Sequence, residues 1–392
     1  MHPKLKNSAL KEIETNVLYD FVADELYELD DESFNFLRYC TGRNSLSNII
    51  GKTGCNEKEA KNLIKYLQKE GHLEFKKDDN GVEKFPSADK VLPSLRYLQL
   101  HITEKCNLNC KHCYLGTKRQ KDLDLDIIGK VIREFSQSGL KLLITGGEPL
   151  LHDKFWEVLK IAKKYPIRVE VLSNGTLITD EKARRLSRYI HGIQISIDGL
   201  EGGHESLRGK GAFKKAIKGV KAAKRYLKVT CATMIHKGNV SEFPQLEKLM
   251  KNLKIDEWSI DIPSEAGNMA ENLDLAVDFE TSTQIFGRYG YSAGMHLGDK
   301  GYSCGSHICS VNVLGEVSKC GFFSDPVENV ENETLIDCWR KIIDDYVPRL
   351  TELECKECKV LEKCRGGCRY RAFKAGNFFG KDPFMCHLYL ES

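Results

Sequence analysis

Three cysteines in the stretch Thr103-Glu-Lys-Cys106-Asn-Leu-Asn-Cys110-Lys-His-Cys113-Tyr114 stand at CxxxCxxC spacing, directly after the apolar-rich run from Tyr97 to Ile102. Three thiolates on one tight loop can hold three corners of a cubane iron–sulfur cluster, which leaves the fourth iron without a protein ligand. An electron-carrying cluster usually takes four cysteines. The spacing therefore points to an iron that binds something else, with a zinc site as the competing reading. The chain has 15 cysteines in 392 residues. A disulfide framework does not suit a long chain whose start, Met1-His-Pro-Lys, carries no apolar signal core, so cytoplasmic, metal-binding cysteines are expected.

Other residues able to do chemistry fall at the ends of predicted strands. Gly146-Gly147-Glu148-Pro149 follows the strand Leu140–Thr145, and Ser173-Asn174-Gly175-Thr176 follows Arg168–Leu172. Ser196-Ile197-Asp198-Gly199 closes Ile193–Ile197, with Arg208 shortly after. Each has a duller reading taken alone: a strand-to-helix turn, a helix cap, a solvated charge. Their shared position is the informative point, because chemistry in parallel α/β folds sits on the loops after the strands.

The elements that must position them alternate. Further strands are predicted at Val229–Ile235 and Trp258–Ile262, and helices at Asp124–Ser138, Lys154–Lys164, Asp180–Arg188, Phe213–Leu227 and Pro244–Leu253. Six strands with intervening helices predict an α/β class, a parallel sheet curved into a partial (β/α)6 barrel. Residues 1–90 read as a small N-terminal winged-helix domain, with a helix over Glu57–Lys69 and a turn-rich linker over Lys76–Ser94. Residues 91–298 form the barrel, and 299–392 a cysteine-rich C-terminal domain folded around metal rather than around a large apolar core. A net charge of +3 gives no push toward nucleic acid, and no apolar run approaches a membrane span.

The cysteine loop together with Gly-Gly-Glu-Pro resembles the radical S-adenosylmethionine superfamily over residues 95–392. The resemblance implies that Cys106, Cys110 and Cys113 hold a 4Fe–4S cluster whose open iron takes S-adenosylmethionine. It implies that Gly146 and Gly147 let the backbone approach the cofactor's amino group, with Glu148 orienting it. Ser173, Asn174, Ser196 and Asp198 are the candidates for ribose contacts, and Arg208 for the carboxylate.

The tail pattern runs Cys304-x10-Gly315-x4-Cys320, then Cys355-x2-Cys358-x5-Cys364-x3-Cys368, then Cys386. It resembles the seven-cysteine SPASM extension, which implies two auxiliary 4Fe–4S clusters. Cys304, Cys320 and Cys368 would bind the first, with Cys309 as its candidate fourth ligand. Cys355, Cys358, Cys364 and Cys386 would bind the second. The N-terminal winged helix resembles the peptide-recognition domain of maturases such as those of pyrroloquinoline quinone biosynthesis, which grip a leader peptide as an added strand. The expectation is a maturase acting on a ribosomally made peptide or protein, bound by residues 1–90 and supplied by a flavodoxin- or ferredoxin-class electron donor, with no nucleic-acid or membrane partner. Two alternatives stand beside it: a small-molecule enzyme such as a haem-precursor decarboxylase, and a non-enzymatic iron–sulfur carrier. Sulfatase-type maturation is disfavoured, because that group places an aspartate base after the cysteine matching Cys320, where this chain has Gly321.

Overall fold

A computed structural model describes residues 2–77, 90–290 and 301–391. Residues 78–89 of the expected linker, and the expected 298/299 domain boundary, lie outside the described residues.

The N-terminal unit contains β1 (His2–Leu5), β2 (Ser8–Glu12), β3 (Asn16–Asp20), β4 (Glu25–Glu28), α1 (Asp31–Arg38), α2 (Leu46–Thr53), α3 (Glu57–Lys69) and β5 (Leu73–Lys76). Asp30, Ser45 and Asn56 cap the three helices through their side chains, each satisfying amide groups that a helix start leaves open. Alternate residues of the β2–β3–β4 sheet, with Leu10 and Leu18 among them, close a core with Phe36, Leu37, Ile49, Ile64 and Leu67. β1 and β2 were absent from the sequence reading. They are short, and Pro3 and Lys11 interrupt the apolar pattern that marks a strand.

The central unit runs β6 (Tyr97–Thr103), α4 (Leu125–Phe135), β7 (Lys141–Gly146), α5 (Phe155–Ala162), β8 (Arg168–Ser173), α6 (Asp180–Leu186), β9 (Gly192–Ser196), α7 (Glu201–Arg208), α8 (Ala212–Ala223), β10 (Lys228–Met234), α9 (Phe243–Asn252), β11 (Glu257–Asp261) and α10 (Phe279–Tyr289). β6 to β11 pair in parallel, each with the next. Among the described residues no ladder joins β11 back to the other edge, so the sheet is open rather than a closed barrel. Leu98, Leu100, Ile102, Leu142, Ile144, Val169 and Val171 point to the helices and pack on Ile128, Val131, Val158, Leu159 and Val220. Each such side chain contributes roughly 1.5–3 kcal/mol through burial. The alternate positions, Gln99, His101, Thr145 and Gln194, form the opposite, inner face.

The C-terminal region holds β12 (Ile308–Val311), β13 (Glu316–Ser318), β14 (Glu328–Asn329), α11 (Leu335–Tyr346), α12 (Leu361–Cys364), α13 (Arg369–Lys374) and α14 (Pro383–Cys386). β12 joins the main sheet parallel to β6, and β13 and β14 continue it antiparallel. Cys338, Trp339 and Ile342 of α11 belong to the same apolar cluster as β6–β9. The first half of this region is therefore built on the central core. Beyond Leu350 a small cluster of Leu350, Leu353 and Leu361 packs with Cys355, Cys358 and Cys364, while Phe384 joins Ile235, Phe243, Ile260, Ile262 and Ile285 of the central unit.

The N-terminal unit is clamped to the end of the sheet where the strands begin. Lys141 Nζ lies 2.5 Å from the Asp24 carboxylate, and Arg168 donates to the carbonyls of Phe21 and Val22 at 3.2 and 2.7 Å. Arg96 pairs with Glu14, and Lys11 Nζ donates to the Ser136 carbonyl at 2.6 Å. The loops that carry the candidate chemistry emerge at the other end.

Candidate active site

The loop after β6 carries Cys106, Cys110 and Cys113, with Cys110 buried and the other two half-buried. Donors are turned on two of the sulfurs. Leu108 N–H and Asn174 Nδ2 lie 3.5 and 3.9 Å from Cys106 Sγ, and an Arg208 nitrogen lies 4.0 Å from Cys110 Sγ. N–H groups and a guanidinium aimed at sulfur suit thiolates bound to metal. The loop is held from below by Asn268, whose backbone N–H donates to the Cys113 carbonyl and whose side chain donates to the Cys110 carbonyl, both at 2.9 Å. Gly267 makes that approach possible: at φ +54°, an added Cβ would stand 2.4 Å from the Cys113 carbonyl oxygen. Sequence reasoning missed Gly267 and Asn268, because a lone glycine after the last regular strand carries no spacing signal.

Gly146 and Gly147 bring the second strand-end loop onto the first. Gly147 N–H donates to the Thr103 carbonyl at 2.7 Å and Glu148 N–H to the Lys105 carbonyl at 2.8 Å. A Cβ on Gly146 would sit 2.1 Å from Thr103 O, and one on Gly147 2.4 Å from Lys105 O. The glycines thus lock the cysteine loop's base, a packing task the sequence reading had not given them. Glu148 is fully buried. Its carboxylate accepts from the Ser173 hydroxyl at 2.9 and 3.0 Å and from the Asn174 N–H at 2.8 Å. Burial pushes its pKa up to about 7, against those donors. Asn174 donates to Asn107 at 3.0 Å. Glu148, Ser173 and Asn174 are therefore spent on one another and on the cysteine loop.

Asp198 and Arg208 pair directly, and the carboxylate also accepts from the Met234 N–H at 2.8 Å. Burial alone would raise the Asp198 pKa, but the Arg208 charge holds it well below the usual carboxylate range. Arg208 closes α7, a helix whose two glycines, Gly202 and Gly203, weaken the helical pattern in the sequence. The guanidinium also meets His112 Nε2 at 3.3 Å. Ser196 ends β9 half-buried on the inner face. Of the residues expected to meet a ribose or carboxylate, Ser173, Asn174, Asp198 and Arg208 have side-chain partners within the protein, and Ser196 does not show one.

In the tail, Cys355, Cys358, Cys364 and Cys386 line a single small pocket, flanked by Val360, Met385 and Leu390. Cys368 lies within electrostatic reach of both Cys304 and Cys320. Cys309 goes elsewhere. It sits on β12 with Leu98 as its ladder partner, fully buried in the helix-facing core near Cys338. The alternation of β12 turns it away from the inner face, so the structure does not bring it to the other tail cysteines as the sequence reading had proposed. An aromatic series ties tail to rim: Tyr114 meets Phe322 at 5.7 Å, and Phe322 stacks on Tyr370 at 5.5 Å. Among the described residues no three His, Cys, Asp or Glu side chains converge to grip a single metal ion.

The parallel α/β sheet thus carries a three-cysteine loop on its first strand end and paired glycines on the second. Residues 100–250 match the Radical SAM superfamily, so the chain carries a domain similar to the enzymes of that superfamily. That match implies a 4Fe–4S cluster and S-adenosylmethionine, and the sulfur-directed donors around Cys106 and Cys110 fit them. The AdoMet-dependent heme synthase of Nitratidesulfovibrio vulgaris is 25% identical over 345 residues, 75% of this chain and 93% of that protein. The sporulation killing factor maturation protein SkfB of Bacillus subtilis is 27% identical over 299 residues, 71% of each. Streptococcus suis SuiB, solved bound to its precursor peptide SuiA, superposes with a TM-score of 0.71 at 16% identity, covering 98% of this chain and 100% of that one. No helix among the described residues is long and apolar enough to cross a membrane.

Proposed function

We propose that the chain is a radical S-adenosylmethionine maturase with SPASM-type auxiliary clusters, acting on a ribosomally made peptide or small protein. The observation that carries this reading is the fold match to SuiB, which at 98% coverage must extend over the N-terminal unit. In that unit β4 is an edge strand of the β2–β3–β4 sheet. Leu29 N–H bonds back to the Asn16 carbonyl, so by antiparallel alternation the N–H groups of Leu26 and Glu28 face away from β3. A peptide can add there as a further strand, beside Tyr27 and the exposed Tyr66 of α3. The edge carries Glu25 and Glu28, which favours a basic leader segment.

In this reading Cys106, Cys110 and Cys113 hold the cluster that S-adenosylmethionine joins. Cys304, Cys320 and Cys368 hold a first auxiliary cluster, and Cys355, Cys358, Cys364 and Cys386 a second. With S-adenosylmethionine bound and an electron delivered from a flavodoxin- or ferredoxin-class donor, the cofactor supplies a 5′-deoxyadenosyl radical that removes hydrogen from the substrate. The chain's own part is to fix that loop: Gly146, Gly147 and Gly267 by close approach, Arg208 and Asn174 by donors to sulfur. Ser196 remains the inner-face hydroxyl offered to the nucleoside.

The match to heme synthases over 75% of this chain favours one second reading, a haem-precursor decarboxylase in which residues 1–90 serve structure only. Anaerobically reconstituted protein, given S-adenosylmethionine and dithionite, should form 5′-deoxyadenosine; none formed would sink both readings. Short peptides encoded beside the gene should bind the full chain and change mass on turnover, and Glu28→Pro should weaken binding. Turnover of a porphyrin precursor, with no peptide bound, would decide for the second reading.

A further inference from the structure

His101 lies on the inner face of β6, in register with Thr145. It is 3% exposed, yet neither Nδ1 nor Nε2 has a hydrogen-bond partner. His112 and His204 also carry one orphaned nitrogen each, but their second nitrogen is engaged. Among the described residues His101 is the one ring orphaned at both. Buried polar groups without partners are uncommon, and each calls for an explanation.

The surroundings supply one. The Tyr114 ring, next in sequence to Cys113, stands edge-on to His101 at 5.8 Å. From the other side comes Gly321, next in sequence to Cys320. Its N–H donates to Gln99 Oε1 at 3.2 Å, and an added Cβ would lie 3.0 Å from Tyr114 Cε2 and 3.4 Å from both Gln99 Oε1 and His101 Nε2. The imidazole therefore stands between the loop of the first cysteines and the tail, in the space a longer side chain at position 321 would enter. Gln99, Thr145 and Tyr114 around it are uncharged. Burial pushes the ring's pKa down to about 4, so it is neutral near pH 7, with one donor and one acceptor.

We propose that His101, with Gln99, forms a specificity site on the inner face that receives an uncharged donor–acceptor group of the substrate, a peptide amide or side-chain carboxamide. This rests on the reading of the inner face as the place where substrate meets the cofactor. An amide matches the ring's one donor and one acceptor, whereas an ammonium or carboxylate would be desolvated with no counter-charge from these neighbours. Glycine at position 321 leaves that volume beside Tyr114 and the imidazole free of a side chain.

The test uses the full-length, cluster-loaded protein and N-methylacetamide as the probe, with acetate and methylammonium as charged counterparts. Binding is read from ligand proton relaxation. N-methylacetamide should bind about tenfold or more tightly than either ion, the discrimination expected when buried polar groups are left unpaired. His101→Phe, which fills the ring volume without its nitrogens, should lose that preference. His101→Asn, which keeps one donor and one acceptor, should retain most of it. Equal binding of the three probes, or an N-methylacetamide affinity unchanged in His101→Phe at wild-type iron and sulfide content, overturns the proposal. So does a crystal soak that shows only water beside His101. Formation of 5′-deoxyadenosine is followed in the same preparations, so a failed enzymatic reading is seen separately from a failed probe site.

Discussion

Arg208 stands between Asp198 and Cys110, giving its Nε to the buried carboxylate and holding another guanidinium nitrogen 4.0 Å from the sulfur. Asp198→Asn leaves that cation buried without its partner. Loss of one member of a buried pair costs about 3–5 kcal/mol. We expect a clear fall in the anaerobic melting temperature, and partial recovery in the double variant Asp198→Asn/Arg208→Leu. Additive losses in that cycle would show the two residues to be independent.

Gly267 has no room to change. Alanine there would be strained by φ +54° and would meet the carbonyls of Cys113 and Tyr114 at 2.4 and 2.5 Å. The strain is on the order of 1–3 kcal/mol and falls on the cysteine loop. Iron analysis should show Gly267→Ala deficient by about one cluster, roughly four irons, with the iron of the proposed tail clusters kept. Full iron content in that variant would mean the loop does not depend on this contact.

Cys309 and Cys355 should answer differently to removal. Cys309→Ala trims a buried thiol from the helix-facing core. It should cost about 1 kcal/mol or somewhat more of stability and leave iron unchanged. Cys355→Ala opens the four-cysteine pocket and should release about one cluster's iron. Loss of iron in Cys309→Ala would restore that residue as a ligand.

Lys11 gives a pH signature for docking of the N-terminal unit. Burial lowers its pKa from 10.5 to about 7, so between those values the unfolded chain holds a proton that the folded chain has released. Stability from this group therefore rises with pH from about 7 to about 10, by at most about 1.4 kcal/mol per unit, and is flat below 7. Lys11→Met removes the cost of burying the charge. Its stability gain over wild type in urea should be largest near pH 7 and shrink toward pH 9. A gain that does not vary with pH would mean Lys11 is not titrating in the fold.

The sequence made the rim legible because its motifs sit at fixed offsets from strongly apolar strands. Cys106, Gly146, Asn174 and Asp198 do lie on successive strand-end loops. What those side chains bond to was not legible. Glu148 and Ser173 were read as facing the cofactor, and the structure turns them on each other. Spacing specifies which loop a residue occupies, whereas burial decides which way it points. β12 was missed because four residues carry too little period to stand out, and Cys309 was misplaced with it. α7 was missed because tertiary packing overrides its two glycines. The unpaired imidazole of His101 lay inside a strand, where a histidine reads as one more inner-face residue.

The clamp between the N-terminal unit and the start of the strands makes the fold a ruler. Arg96, Lys141 and Arg168 hold that unit at one end of the sheet, and the cysteine loop follows the other end of β6. The seven residues of β6 set that span at about 23 Å, at about 3.3 Å per residue. A peptide held on β4 needs a comparable extended length before any of its residues reaches the rim. Substrates with fewer than about seven residues between leader and target should bind yet escape modification, and lengthening the spacer should move the modified position along the peptide.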